Sequence, residues 1–551
     1  MGTKPYDVVV VGAGIAGIAA ALSARELGAR VLLLTDGTLC GGSSFSSNTW
    51  GLGMVSESTE PLIRGHQSLF KALKTMGMGL CTPTLPERLV ADADEALDWW
   101  ARQGASIIGA KDPTQREFVP CFDSETRTWH GFVGSESRDA LVRRIQESGV
   151  DVTEQSTLLD IALDKERNLQ GIFTLHKMSV IKFAATRAVV LATGGLAGLY
   201  GSHICPSTCA NGHFAALGAG ARLVNIEFQQ LMVGYLSPLW GTVFNEKLWR
   251  HTLLEVNNTS TDQHFCDSEA LWQALEAHSW HGPFTFERPS RRIEELLATV
   301  QRGTVRAHVA PDALGPHAPE FVRTYASWFA EQRGANLSDS LPIALFAHSS
   351  NGGIAIDQDG FTGVPGLYAA GEAAGGVHGA DRIGGLASMS ALVFGIRAGR
   401  AAASSGHLTQ NGRTPSAGLK MLRDDRRYRT HVATLLDEVA LVPRNHKDLA
   451  AGRLRLADLV DELTQSSVVV DDPLGCAPDE ARAIGAWRSS LSALTVADAL
   501  LAAMDARTES RGAHWRSDAS YTDNAYDHQL SVSVNEDGQL VVDGCPMKSC
   551  T

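Results

Sequence analysis

The sequence has no block of lysine or arginine, and its net charge is −13 with a pI near 5.8. Nothing in that balance recruits nucleic acid, which calls for a basic patch. An acidic chain that holds a small anion must do so with local positive charge. Cysteine is sparse and odd in number, nine in 551 residues. A disulfide framework is therefore not expected in so long a chain. Cys545 and Cys550, in the terminal CPMKSC, are either a redox pair or, more simply, two thiols on a tail. Internal repeats and low-complexity tracts are missing. No run approaches the length of a membrane span. The apolar N-terminal stretch DVVVVGAGIAGIAAALSA begins at Asp7, has no formed basic region before it, and spaces its glycines unlike a signal peptide. A soluble, cytoplasmic chain with no membrane partner is expected.

Glycine is what the sequence has in quantity, 54 residues without a collagen period. That suggests tight turns and close backbone approaches to a ligand. With 44% hydrophobic and 20% charged residues the chain is globular, and its length implies two to four domains. One stretch, GEAAGGVHGADRIGG at 371–385, sets a single arginine, Arg382, among six glycines. It is either a surface loop or a place where a fixed charge must lie close to a flat ligand.

The segment YDVVVVGAGIAGIAAALSARELGARVLLLT reads as strand, helix, strand. Asp7–Val11 is a β-branched run typical of a buried parallel strand. Gly12, Gly14 and Gly17 form G-x-G-x-x-G, Gly28 ends the helix, and Val31–Leu34 is the second strand. In this context the motif is a dinucleotide cradle. Its glycines allow the tight turn, the approach of a pyrophosphate and close helix–strand packing. Where such a strand usually ends in an acid, this one ends in Thr35, with Asp36 next, and either side chain can accept a bond from a ribose hydroxyl. RAVVLATGGLAG (188–198) and GLYAAGEAAGG (366–376) are further strands with glycine turns. A nucleotide domain that opens the chain and closes near residue 400 must contain an insertion. Five tryptophans, Trp240, Trp249, Trp272, Trp280 and Trp328, fall at or in it and fit a lid or a small core equally. DLAAGRLRLADLVDEL and SLSALTVADALLAAMDARTESR have helical spacing, and QLSVSVNEDGQLVVDG predicts a hairpin turning at Asn535–Gly538.

From end to end the chain resembles the flavoprotein family of L-aspartate oxidase and the flavin subunits of fumarate reductase and succinate dehydrogenase. VLLLTDGTLCGGSSF, AVVLATGGLAGLY, GHFAALGAGARLVNIEFQQ, HSSNGGIAID, GLYAAGEAAGGVHGADRIGG, ALVFGIRAGRAAA and ESRGAHWRSD carry the resemblance. The last matches the family's late helical segment, and length and TLCGGSSF place it nearest the L-aspartate oxidase branch. The resemblance implies an α/β fold: a Rossmann-type FAD-binding domain (1–240 and 340–405), an inserted α+β capping domain (241–339) and a C-terminal helical domain with tail (406–551). FAD is implied as cofactor, bound without a covalent link, since GGSSFSSNTWG (41–51) holds no histidine. No C-x-x-C set is present for iron–sulfur clusters. Besides the first glycines, Thr35 and Asp36, the implied cofactor contacts are Gly42, Ser43, Ser44, Thr193, Gly194, Gly195, Glu372, Leu386, Ala387 and Ser388. No metal site is implied.

The implied reaction is hydride transfer between a small, amino-acid-like carboxylate and the flavin; the alternatives are reduction of an activated C=C bond and flavin binding without catalysis. The electron acceptor, oxygen or another, is left open. Arg382 falls on the family's carboxylate-binding position, with pairing to Asp381 as its structural alternative. His348 falls on a second substrate position. Arg291, in ERPSRRIEELL, falls on the proton-carrying arginine, with Arg288 and Arg292 beside it. The chain departs from the family where His-Pro-Thr would follow its EF-x-Q block. Here EFQQLMVGYLS sets Met232 and Gly234 at the places of the histidine and threonine. The far end of the substrate is then less polar than in L-aspartate, unless His251 or Tyr235 compensates. LASMS (386–390) also replaces the usual Asn-Ser-Leu-Leu-Glu, which leaves backbone amides of a helix start to meet the flavin.

Overall fold

The computed structural model describes residues 4–45, 52–56, 67–108, 128–256, 269–318, 320–406, 419–422 and 428–545. Valines and leucines build its first layer. Val8, Val9 and Val10 are wholly buried, as a parallel strand covered on both faces requires. Strand Tyr6–Val11 pairs in parallel with Val31–Leu34 on one side and with the end of Val180–Leu191 on the other. Asp151–Thr153 and Leu367–Ala369 extend the parallel set at its two edges. The first half of the long strand Val180–Leu191 closes an antiparallel meander with Leu169–His176 and Ser156–Leu163 before its second half enters the parallel set. Helices Ile15–Glu26 and Leu386–Ser404 pack against one another over the sheet, so the first and last parts of this domain meet across the insertion.

The inserted part carries a four-stranded antiparallel sheet in the order Gln229–Tyr235, Leu341–Ser350, Val305–Val309 and Thr252–Val256. Helices Glu269–His278, Arg291–Thr299 and Glu320–Arg333 accompany it. The strands that enter and leave the insertion thus pair directly, from Gln229↔Ser350 to Tyr235↔Ile343, with a bulge after Gln230. This ribbon positions the site, because it holds Gln230 opposite Ser349 and Met232 opposite Phe346. Of the insertion's tryptophans, Trp249 is core, stacked on His278, whereas Trp240, Trp272 and Trp280 are exposed.

Three helices, Tyr428–Val439, His446–Gln465 and Pro478–Ala506, form the C-terminal bundle. The third is long and apolar enough to cross a membrane by length and composition, a property the sequence reading overlooked; 67% of its most apolar window is buried inside the protein. The expected hairpin is present as Gln529–Val534 with Leu540–Cys545, and its first strand pairs with Leu223–Val224. The segment 509–518, expected to be helical, is instead an irregular strap. Buried arginines on it and just before it explain the departure. Arg507 is buried between Glu227 at 2.8 Å and Glu509 at 2.9 Å, and Arg516 pairs with Asp518 at 2.8 Å. Buried charges take the backbone path that satisfies them. Cys550 lies outside the described residues.

Candidate active site

One cavity of about 950 Å³ runs from the N-terminal glycines to the underside of the inserted sheet. At one end it is lined by Gly12, Gly14, Thr35, Asp36, Gly42, Ser43, Ser44, Thr193, Gly194, Gly195, Glu372, Ala387 and Ser388. Two glycines are required by contact. Gly12 has φ +111°, and a Cβ there would run into the Ala192 carbonyl. A Cβ on Gly17 would run into the Gly12 carbonyl, so Gly17 seats the helix on the strand and does not itself line the cavity. Helix Ile15–Glu26 starts without a side-chain capping bond of its own, and Ser44 Oγ accepts from the Ile15 N–H at 3.2 Å. Its first turn faces the cavity through Gly14, Ile15 and Ala16, an environment that favours phosphate. Asp36 accepts from the Thr157 hydroxyl at 2.5 Å. Glu372 accepts from the Ser350 N–H at 2.9 Å, and burial raises its pKa. Leu386 is buried outside the lining, so the start of helix Leu386–Ser404 meets the cavity through Gly384, Gly385, Ala387 and Ser388.

At the other end stand Arg382, His348, Ser349 and His378. Arg382 is 7% exposed. Its backbone N–H donates to Asp381 at 2.8 Å, but its guanidinium turns elsewhere: Nε donates to Gln230 Oε1 at 2.9 Å, and Nη2 reaches Ser349 Oγ at 3.3 Å and His348 Nε2 at 3.4 Å. Burial, with Arg382 adding to it, lowers His348 to about 3; the same causes lower His378 to about 3. Both rings are therefore neutral near pH 7. His348 accepting from Arg382 through Nε2 carries its proton on Nδ1, which has no partner among the described residues.

The remaining sequence-derived residues distribute unevenly. Met232 lines the cavity, together with Ile204 and Val243. Gly234 does not, because the ring of Phe346 covers it. His251, at the end of a 3-10 turn, and the buried Tyr235 are also outside the lining. Arg291 is not brought to the cavity. Helix Arg291–Thr299 begins there and aims its guanidinium over Phe286 (4.7 Å) and Trp515 (5.9 Å), with Nη1 donating to the Phe286 carbonyl at 3.2 Å. Arg288 and Arg292 do not line it either. The polar groups that do stand beside the apolar wall are Asn245, Glu246, Lys247 and Tyr325, with Trp328. Burial raises the Glu246 pKa. Of these only Trp328 stood out in the sequence, as lid or core; Asn245, Glu246, Lys247 and Tyr325 did not. Asn245 caps its turn by accepting from the Lys247 N–H, and that N-cap signal in FNEKLW was the one available clue.

The description "FAD binding domain" matches residues 7–387, and "Fumarate reductase flavoprotein C-term" matches residues 429–548. The chain belongs to this FAD-binding family. It is an FAD-dependent oxidoreductase. The chain is 28% identical to an L-aspartate oxidase of Streptomyces coelicolor, over 97% of this chain and 93% of that one. It is 29% identical to an L-aspartate oxidase of Mycobacterium leprae, over 97% and 96%. The fold is shared with the Mycobacterium smegmatis Sdh1 complex in the apo form, with a TM-score of 0.77, 22% identity and coverage of 98% and 94%. The cavity fits the flavin dinucleotide. The glycine turn leaves no room for side chains, a helix start faces it, and Thr193 Oγ1 lies buried on its wall without a partner among the described residues. Residues 46–51, where no flavin-linking histidine occurs, lie outside the described residues. Among the described residues no cluster of histidine, cysteine or carboxylate side chains could hold a metal ion.

Proposed function

We propose that this protein oxidises an amino-acid-like carboxylate at the carbon beside its carboxyl group, and that the substrate has a less polar tail than L-aspartate. The observation that carries the reading is the guanidinium of Arg382, held in the cavity wall by the neutral groups of Gln230, Ser349 and His348. A planar fork fixed in this way suits one carboxylate. Bound FAD supplies the hydride acceptor. Arg382 orients the carboxylate, and neutral His348 and His378 stand beside it without adding charge. Glu246, whose carboxyl burial biases toward the protonated form, is the titratable group at the opposite wall suited to hold a substrate proton. Met232, Ile204 and Val243 offer the tail an apolar surface. Burying a second carboxylate there unpaired costs several kcal/mol, on the order of the penalty for any unpaired buried charge. The similarity to L-aspartate oxidases supports the reaction type.

The test is anaerobic mixing of the purified yellow protein with a panel of amino acids. Faster bleaching by neutral-tailed amino acids than by L-aspartate supports the reading. L-aspartate as the fastest reductant overturns the tail assignment. No bleaching by any amino acid, with reoxidation of chemically reduced flavin by an enoate, overturns the direction as well.

A further inference from the structure

Behind Arg382 lies a buried chain of polar side chains that never reaches the cavity. Asp381 is 1% exposed. Its Oδ1 accepts from Gln230 Nε2 at 3.0 Å and from the Arg382 N–H at 2.8 Å. Its Oδ2 accepts from the Thr285 hydroxyl at 2.5 Å and lies 3.5 Å from His281 Nε2. His281 and Thr285 also bond to one another. Both belong to the inserted domain, between helices Glu269–His278 and Arg291–Thr299. Gln230 is the middle of the chain. Its Oε1 accepts from Arg382 Nε at 2.9 Å and from the Ser349 hydroxyl at 3.0 Å.

An ionised carboxylate can only accept hydrogen bonds, and a guanidinium can only donate them. Asp381 therefore allows one orientation of the Gln230 amide, NH2 toward itself. The Gln230 carbonyl must then face Arg382. We infer that Asp381 is a positioning residue that fixes the Gln230 amide and through it the angle at which Arg382 presents its guanidinium, with Thr285 and His281 tying that angle to the seating of the inserted domain. With asparagine at 381 one of the two accepting oxygens becomes an NH2: it faces either the Thr285 hydroxyl, or the Gln230 NH2 and the Arg382 N–H, and in the second case the Gln230 amide is driven to turn its own NH2 toward the Arg382 Nε–H. The inference rests on the reading of Arg382 as the carboxylate clamp.

The experiment uses the FAD-loaded protein and calorimetric titration with succinate, hexanoate, 4-methylpentanoate and 3-phenylpropanoate, acids without an amine to oxidise. The tightest binder is carried through Arg382→Lys, Asp381→Asn, Thr285→Val and the double variant Asp381→Asn/Arg382→Lys, with FAD content and thermal midpoint read alongside. Arg382→Lys and Asp381→Asn are each expected to weaken binding at least tenfold, and Thr285→Val about threefold, with FAD content unchanged. The double variant is expected to bind no more weakly than Arg382→Lys alone, because Asp381 acts through Arg382. Losses that multiply in the double variant, or a Kd in Asp381→Asn equal to wild type, overturn the inference while the clamp stands. If Asp381→Asn does not fold, Thr285→Val decides by the same comparison in the Arg382→Lys background. No change in Arg382→Lys, or no acid bound by wild type, overturns the clamp itself and the inference with it.

Discussion

The ring of Phe346 lies against the bare backbone of Gly234: a Cβ built on that glycine would stand 2.9 Å from the ring edge. A hydroxyl side chain at 234 cannot therefore simply be restored. Gly234→Thr is expected to displace the ring and destabilise the protein by about 1–3 kcal/mol, the usual cost of overpacking a core. Urea unfolding measures it. A stability equal to wild type would show that the ribbon yields at this place.

Met232→His is the clean specificity variant, since Met232 lines the cavity and Gly234 does not. The added ring donor is expected to raise turnover of L-aspartate relative to a neutral-tailed amino acid by roughly tenfold, the worth of one hydrogen bond to a charged group. An unchanged ratio of kcat/KM values would place the tail elsewhere.

Arg291 and Arg382 are expected to separate. Arg291→Ala removes stacking on Phe286 and Trp515 and should lower stability by about 0.5–2 kcal/mol with kcat within a few-fold of wild type. Arg382→Lys keeps charge but loses the planar fork, and should raise KM by roughly 10–150-fold, which is about 1.5–3 kcal/mol. Steady-state kinetics with unfolding curves distinguishes the two; a large kcat loss in Arg291→Ala with intact stability would return that arginine to the chemistry.

Acid should unfold the protein early. Burial lowers His213 to about 4, and burial with the charge of Arg382 lowers His348 and His378 to about 3. The unfolded chain takes up protons on these rings from about pH 6.5 downward, whereas the folded protein does not. Stability present at pH 7 is thus lost progressively as pH falls from 6.5 toward 3–4. His378→Gln should flatten the dependence of the urea midpoint on pH between 7 and 5. An unaltered slope would show that His378 titrates normally in the fold.

The parts of the structure that the sequence made legible are those in which backbone and burial act locally. The valine run at 8–11 and the glycines at 12, 14 and 17 state a strand, a turn and a helix within thirty residues, and the fold follows them. Arg382 was legible as the one fixed positive charge in a glycine-rich stretch. Its partners were not, because Gln230 is 152 residues away and meets it only when the entering and leaving strands pair. The strap at 509–518 departs from a helix because its path is set by buried ion pairs of Glu509, Arg511 and Arg516 and by hydrogen bonds from Arg444 to His514 and from the Gly512 N–H to Glu287, far along the chain, not by local propensity. Arg291 was misplaced for a similar reason: ERPSRR offers three arginines, and only the packing of Phe286 and Trp515 decides which way the chosen one points. Glu246 and Lys247 were not legible as site residues, since the N-cap signal of Asn245 beside them marks a turn and not a cavity wall.

The most direct measurement is a crystal structure of the FAD-loaded protein soaked with the non-oxidisable acid that it binds most tightly. The account expects the carboxylate of that acid in hydrogen-bond contact with the Arg382 guanidinium, at about 2.7–2.9 Å, with its tail against Met232 and Val243. A carboxylate bound instead at Lys247, with the tail directed at Arg382, would contradict it.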